Sequence, residues 1–253
     1  MELKEKMKAG QKVYGTMLRV SRNPAVCYLA KNASLDYVMF DCEHGNYSYE
    51  SLHDMFIMGN ALGLNGLLRV PQLSRDHISR GLDCGAIGAM VPMTETIKQA
   101  EEIVRWSKYS PLGERGYGSG CAHTDYVGGG KHTEIMGAAN RKIISIAQIE
   151  TKLAVDNADQ IAAVEGIDVL LIGPNDLSIS LGIPGEIMNP IELDAIACVA
   201  ASCKKHGKFF GIHAGLNLLE KFSDDLSFVM SQTDNDILAE GFSRINTNCR
   251  KIE

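Results

Sequence analysis

Short apolar runs alternate along this chain with polar clusters, and four of the runs stop on residues that chemistry uses. Tyr37-Val38-Met39-Phe40 breaks into Asp41-Cys42-Glu43-His44-Gly45, and Gly66-Leu67-Leu68 ends on Arg69. Ile143-Ile144-Ser145-Ile146-Ala147 leads into Gln148-Ile149-Glu150, and Val169-Leu170-Leu171-Ile172 gives way to Gly173-Pro174-Asn175-Asp176. Runs this short, bounded by turn residues, predict buried strands near 13–18, 37–40, 66–70, 86–91, 143–149, 169–172, 209–213 and 227–231. Helical patterns lie between most of them. Leu52, Met55, Phe56 and Gly59 share a face after Ser48, and Ser74 is placed to cap a helix running through Leu82. Thr94 opens a helix striped by Ile97, Ala100, Ile103 and Val104, and helices are also expected over 153–164 and 190–206, the latter starting on Pro190.

Eight strands alternating with helices predict an α/β fold, a (β/α)8 barrel in one domain over 1–253, with right-handed crossovers. A doubly wound open sheet shows the same alternation and stays open as the alternative. The rhythm breaks between Trp106 and Asn140, a Gly-rich excursion that reads as a lid, a subunit contact or a solvated loop. In a parallel β/α enzyme the site forms where strands end, so the polar clusters are the candidate site.

Composition narrows the class. The net charge of −6 does not favour a nucleic-acid partner, which calls for a basic surface. Seven scattered cysteines without a C-x-x-C pair suit reduced thiols and a cytoplasmic address rather than a disulfide frame or zinc site. No apolar stretch approaches the roughly 18 residues a membrane span needs, and the charged opening residues carry no signal-peptide pattern.

Glu150 and Asp176 lie one β-α unit apart, which in a barrel puts them at the ends of neighbouring strands. Two carboxylates without clustered Cys or His suit a hard divalent cation such as Mg2+ or Mn2+, with positions left for water and a chelating 2-oxo acid. Helix or turn capping is the competing reading for each acid. Arg69 is suited to hold a keto oxygen and the negative charge developing on it, or to form a salt bridge across the mouth. Asp41 and His44, three residues apart, suit an acid that orients a general-base imidazole; Glu43 is assigned no role. The backbone from Gly173 through Pro174, Asn175 and Asp176 is placed to receive a substrate carboxylate, although a plain turn needs the same residues. His213 is expected to face the variable part of the substrate. No lysine ends a strand as a Schiff-base nucleophile would: Lys142 and Lys208 precede their strands, and Lys131 and Lys152 sit in a loop and at a helix start.

Together with Val91-Pro92-Met93 and Tyr109-Ser110-Pro111-Leu112-Gly113-Glu114-Arg115-Gly116, these motifs make nearly the whole chain resemble the HpcH/HpaI aldolase family. The resemblance implies a class II pyruvate aldolase that needs Mg2+, Mn2+ or Co2+ and cleaves a 4-hydroxy-2-oxo acid to pyruvate and an aldehyde. It implies metal ligands at Glu150 and Asp176, proton transfer by His44 with Asp41, and a keto-oxygen contact from Arg69. Gln148 lies near the metal shell in the same sense, and Asp83 resembles an acid that reaches a neighbouring subunit's site. Assembly as a trimer or hexamer with the C-terminal helix on a neighbour is implied too. Oxaloacetate decarboxylation or another dicarboxylate lyase reaction is the alternative on the same enolate chemistry. A non-catalytic metal and carboxylate binder, or a phosphosugar isomerase barrel, fits the residues less well. Departures at 211–215 and 121–123 fall where the aldehyde is selected, so no aldehyde follows from the resemblance.

Overall fold

The computed structural model describes residues 2–252. Eight parallel strands close in sequence order: β1 (Val13–Leu18), β2 (Tyr37–Asp41), β3 (Asn65–Arg69), β4 (Gly88–Val91), β5 (Ile144–Ile149), β6 (Val169–Ile172), β7 (Phe209–His213) and β8 (Phe228–Thr233). The open-sheet alternative is thereby excluded: β1 pairs with both β2 and β8.

Helices α1 (Leu3–Lys8), α2 (Val26–Asn32), α3 (Tyr49–Leu62), α4 (Arg75–Asp83), α5 (Ile97–Ser107) and α6 (His132–Lys142) accompany the first half. The second half carries α7 (Lys152–Asp156), α8 (Ala158–Ala163), α9 (Pro174–Ser180), α10 (Pro190–His206), α11 (Leu216–Lys221) and α12 (Asp234–Cys249). Two expectations need correction. The cap of α5 is Thr96, not Thr94: Thr96 forms a capping box with Gln99, while the Thr94 hydroxyl is buried and donates to the Val91 carbonyl at 3.0 Å. The helix expected over 153–164 is two, because Asn157 leaves helical geometry and its amide donates to the Glu95 carbonyl at 2.8 Å. The long Gly-rich excursion holds α6 and a short 3-10 turn, Ala122–Thr124.

Side chains alternate between two cores. One layer packs strands against helices, with Val38, Phe40, Leu68, Ala147, Leu170 and Ile172 among its members. The other fills the barrel: Val13, Met17, Tyr37, Met39, Leu67, Met90, Ile144, Ile146, Val169, Leu171, Phe228 and Met230. Because strand side chains repeat every two residues, the interior set continues upward to Arg19, Asp41, Arg69, Gln148, Gly173 and His213. The barrel interior therefore changes from apolar to polar at its C-terminal end, where the site lies. At the other end α1 acts as a plug, with Leu3 and Met7 in the interior cluster and Lys4 bonded to Asp168 at 2.8 Å. Asp168 also holds buried Lys108 at 3.1 Å, and burial lowers the Lys108 ammonium to about 7 against the pull of Asp168.

Candidate active site

The hub of the mouth is Asp41, which is fully buried. Its Oδ1 accepts from Arg69 Nε at 2.8 Å and its Oδ2 from Arg69 Nη2 at 2.6 Å. Arg19 Nε donates to Oδ2 at 2.7 Å, and the amides of Glu43 and His44 donate to Oδ1 at 3.0 and 3.3 Å. Burial pushes the carboxyl up, but the hydrogen bonds and charge of Arg69, the His44 amide and Arg19 outweigh it and hold Asp41 below its ordinary range. The expectation that Asp41 orients the His44 ring is corrected here: Asp41 holds the backbone of His44, since its oxygens are taken by two guanidiniums and two amides. The acid facing the imidazole is Glu43, whose Oε2 lies 3.8 Å from His44 Nε2 and 2.9 Å from Arg69 Nη1. The His44 side chain is itself 55% exposed at the mouth.

Across the mouth, Glu150 and Asp176 follow the neighbouring strands β5 and β6, whose register pairs Ile149 with Ile172. Glu150 is buried; its Oε1 accepts from the Met93 amide at 2.7 Å and its Oε2 from Gln148 Nε2 at 2.6 Å. Its carboxyl is pushed up to about 7, chiefly by burial and further by the charges of Glu43 and Asp176, against the Met93 amide and Arg69. Asp176 is exposed in the first turn of α9, and the Oε1 of Gln148 is buried without a hydrogen-bond partner. An acid strained by neighbouring acids, beside an unpartnered amide oxygen, is a donor set that fits a hard dication. Glu150 and Asp176 are the residues that would hold it. Among the described residues no three His, Cys, Asp or Glu side chains gather as a ready cage, so water and ligand would complete such a shell.

Gly173 makes room for this arrangement. A Cβ built on it would stand 2.6 Å from Glu150 Oε2 and 2.8 Å from Gln148 Nε2. Its own N–H is spent on the Ile149 carbonyl at 3.1 Å, which leaves the amides of Asn175 and Asp176 in the first turn of α9 to meet a ligand. Pro174 occupies the first helical position, where its missing N–H costs nothing. His213 ends β7, with Nε2 3.2 Å from the Gln232 carbonyl; burial, with Arg69 and Arg19 nearby, pushes its imidazole down to about 4. A carbonyl only accepts, so Nε2 carries the proton. A cavity of about 370 Å3 joins Arg19, His44, Arg69, Gln148, Asp176 and His213.

Asp83 is not brought to this mouth. It ends α4, which runs from the top of β3 back toward the start of β4, and so lies at the opposite end of the barrel. There Arg115 Nη2 bonds it at 2.6 Å. Several residues of the mouth carry no role in the sequence reading, among them Glu43, Arg19 and the segment 232–236 that closes the cavity after β8. Glu43 is named there without a role. Arg19 follows the run Met17-Leu18 and carried the same signal as Arg69, a cation closing a strand.

The profile of the HpcH/HpaI aldolase/citrate lyase family matches residues 16–232. This chain belongs to that family. It is similar to a 4-hydroxy-4-methyl-2-oxoglutarate aldolase of Chaetomium globosum, 32% identical over 92% of this chain and 89% of that protein. A 2-keto-3-deoxy-L-rhamnonate aldolase of Escherichia coli is 32% identical over 74% of this chain and 69% of its own length. Among solved structures, an HpcH/HpaI aldolase from Desulfitobacterium hafniense superposes with a TM-score of 0.94 at 32% identity, covering 100% of this chain and 98% of the other. The protein is thus a lyase of the aldolase type, and as an HpcH/HpaI chain it carries its polar residues at the strand ends of a closed barrel.

Within this HpcH/HpaI mouth the close fit at Gly173 gives a direct expectation. Gly173→Ala should weaken Mn2+ binding, read by the electron spin resonance of free Mn2+, by about 10- to 100-fold, the range seen when groups supporting a metal ligand are displaced. Unchanged Mn2+ affinity would show that the space above Gly173 has no bearing on Glu150.

Proposed function

We propose that the protein reversibly cleaves a 4-hydroxy-2-oxo acid into pyruvate and an aldehyde. The observation that carries this reading is the convergence, at one barrel mouth, of a buried arginine, an exposed imidazole and a crowded acid pair. The amides of Asn175 and Asp176 receive the substrate carboxylate. Arg69 spends three of its five N–H groups on Asp41 and Glu43, leaving two for the 2-oxo oxygen. His44 takes the proton of the C4 hydroxyl. As the C4 carbonyl forms, the C3–C4 bond parts, its electrons move to make the C2–C3 double bond, and the charge that gathers on the 2-oxo oxygen meets Arg69. Return of a proton to C3 completes pyruvate, while Glu43 and Asp41 keep His44 and Arg69 in place. Glu150 and Asp176 would hold a divalent cation of the Mg2+, Mn2+ or Co2+ kind, which would supply Lewis-acid stabilisation of the developing enolate charge.

Assembly and address belong to this proposal as well. On α12 only Asp234 is buried, while Ile237, Leu238, Phe242 and Ile245 are exposed. An apolar groove of about 460 Å3 runs outside β1 and β8, lined by Tyr14, Leu35, Leu219, Leu226 and Val229. Apolar surface of this kind supports a homo-oligomer, a trimer or hexamer, in which α12 packs on a neighbour and Asp83 serves a second copy's site. Seven free cysteines support a reducing, cytoplasmic setting, and among the described residues no helix is long and apolar enough to cross a membrane.

The test is exchange of pyruvate methyl protons with deuterated water, alongside pyruvate release from 4-hydroxy-2-oxo acids, before and after exhaustive chelation. Both are expected with Mg2+ or Mn2+ present and both should vanish with the metal. Undiminished turnover in the chelated enzyme would refute the reading.

A further inference from the structure

Arg19 is held more firmly than a loop residue needs to be. The carboxylate of Asp234, at the start of α12, accepts from the amides of Arg19 and Ser21, each at 2.7 Å, and from Val20 at 3.1 Å. The guanidinium is fixed through Nε by Asp41, so backbone and side chain are pinned by two buried acids. Asp41 does not require this partner, since Arg69 already meets it through two parallel N–H bonds. Both Nη atoms of Arg19 are without a protein acceptor among the described residues, and the side chain, 29% exposed, lines the same cavity as His44 and Asp176.

Its place along the substrate follows from Gly45. A Cβ on Gly45 would stand 3.3 Å from both Cα and O of Arg19, so the turn carrying His44 rests directly on the Arg19 backbone. Arg19 therefore belongs to the end of the cavity where His44 works. Gln148, Asp176 and the first turn of α9 line the cavity from the side of β5 and β6.

Resting on the aldolase reading above, we infer that Arg19 reads the aldehyde half of the substrate, and that it selects acceptors carrying a carboxylate one or two carbons beyond C4. The free edge of a guanidinium presents parallel N–H groups at the spacing of a carboxylate. Arg69 in the same cavity is already engaged by Asp41 and Glu43, and Asp236 faces the cavity beside Gln232 and Thr233 with one oxygen accepting from the Thr233 amide and hydroxyl. One free guanidinium edge with an acid nearby suits a monoanion better than a phosphate ester, which calls for a fuller cationic cradle.

The experiment compares the affinity of the Mn2+-loaded full-length chain, by calorimetry, for 2-oxoglutarate and 2-oxopentanoate, which differ only in carboxylate against methyl at C5. The wild-type chain is expected to prefer 2-oxoglutarate by about 10- to 100-fold, the range of a hydrogen bond to a charged group. In Arg19→Gln that ratio should collapse toward one, whatever change the two affinities share, and Arg19→Lys should retain an intermediate ratio. A wild type that draws no distinction, or a ratio that survives Arg19→Gln, overturns the inference. So does stronger binding of a phosphate-ended 2-oxo acid. Methyl-proton exchange of pyruvate in the same preparations separates the two readings. An intact, Arg19-dependent ratio without exchange would sink the aldolase chemistry and leave the carboxylate subsite standing. Exchange with a flat ratio would sink the subsite alone.

Discussion

Glu150→Gln is expected to lower pyruvate release about a thousandfold or more and to abolish high-affinity Mn2+ binding, while the metal-free chain becomes harder to unfold. The two directions have one cause. The carboxylate is buried among other acids and is pushed up to about 7, so in the absence of a cation its charge opposes folding. Glutamine keeps the shape and can still accept the Met93 amide, but it brings no charge to a dication. The proposed Lewis-acid stabilisation, worth several kcal/mol, would then be lost, at roughly a factor of ten for each 1.4 kcal/mol. A stability gain purchased at a functional position is the usual trade in enzymes. Mn2+ titration, steady-state rates and thermal melting of chelated samples together check the expectation. A variant that binds Mn2+ as the wild type does would remove Glu150 from the proposed metal site.

Asp41→Ala should damage both fold and activity. It strips Arg69, only 4% exposed, of its two-point partner and leaves the amides of Glu43 and His44 without an acceptor. Removing one member of a buried ion pair costs about 3–5 kcal/mol, because the remaining charge stays buried and unmatched. Glu43 and the opening of the mouth to water soften that loss, so the lower part of the range is expected from denaturant titration. Activity should fall further than the unfolded fraction explains, since the guanidinium proposed to meet the 2-oxo oxygen loses its fixed plane. Asp41→Asn keeps the shape and, with its oxygen at the Oδ1 position, the acceptor for the Glu43 and His44 amides, but its amino group then faces both Arg69 Nη2 and Arg19 Nε, and it should fall between wild type and Asp41→Ala. A midpoint within about 0.5 kcal/mol of wild type, the range of an inconsequential surface change, would contradict the role of Asp41 as hub.

Much of the barrel was readable in the pattern of the chain. All eight strands fall within two residues of their predicted positions, and α10 begins on Pro190 and ends on His206 as expected. Boundaries slipped where a side chain made a choice the pattern does not encode: Thr96 rather than Thr94 at the start of α5, and Asn157 splitting one helix in two. In the site, Arg69, Gln148, Glu150, Asp176 and His213 were identified at strand ends and do line or adjoin one mouth. Sequence proximity misled for Asp41 and His44. Three residues of separation suggested a side-chain pair, yet the turn directs the Asp41 oxygens toward β3 and β1, where two guanidiniums wait.

By itself the chain determined the alternation of strand and helix, the inward and outward faces of each strand, and the kinds of side chain that reach the mouth. These follow from two-residue and 3.6-residue periods and from turn chemistry, all set by neighbours in sequence. Only the tertiary structure decided the partnerships: Asp41 with Arg69 and Arg19, Glu43 with Arg69, Glu150 above Gly173, and Asp83 at the far end with Arg115. The reason is physical. Charges pair across strands a few ångströms apart in space but tens of residues apart in the chain, and closure of the barrel is what sets those distances.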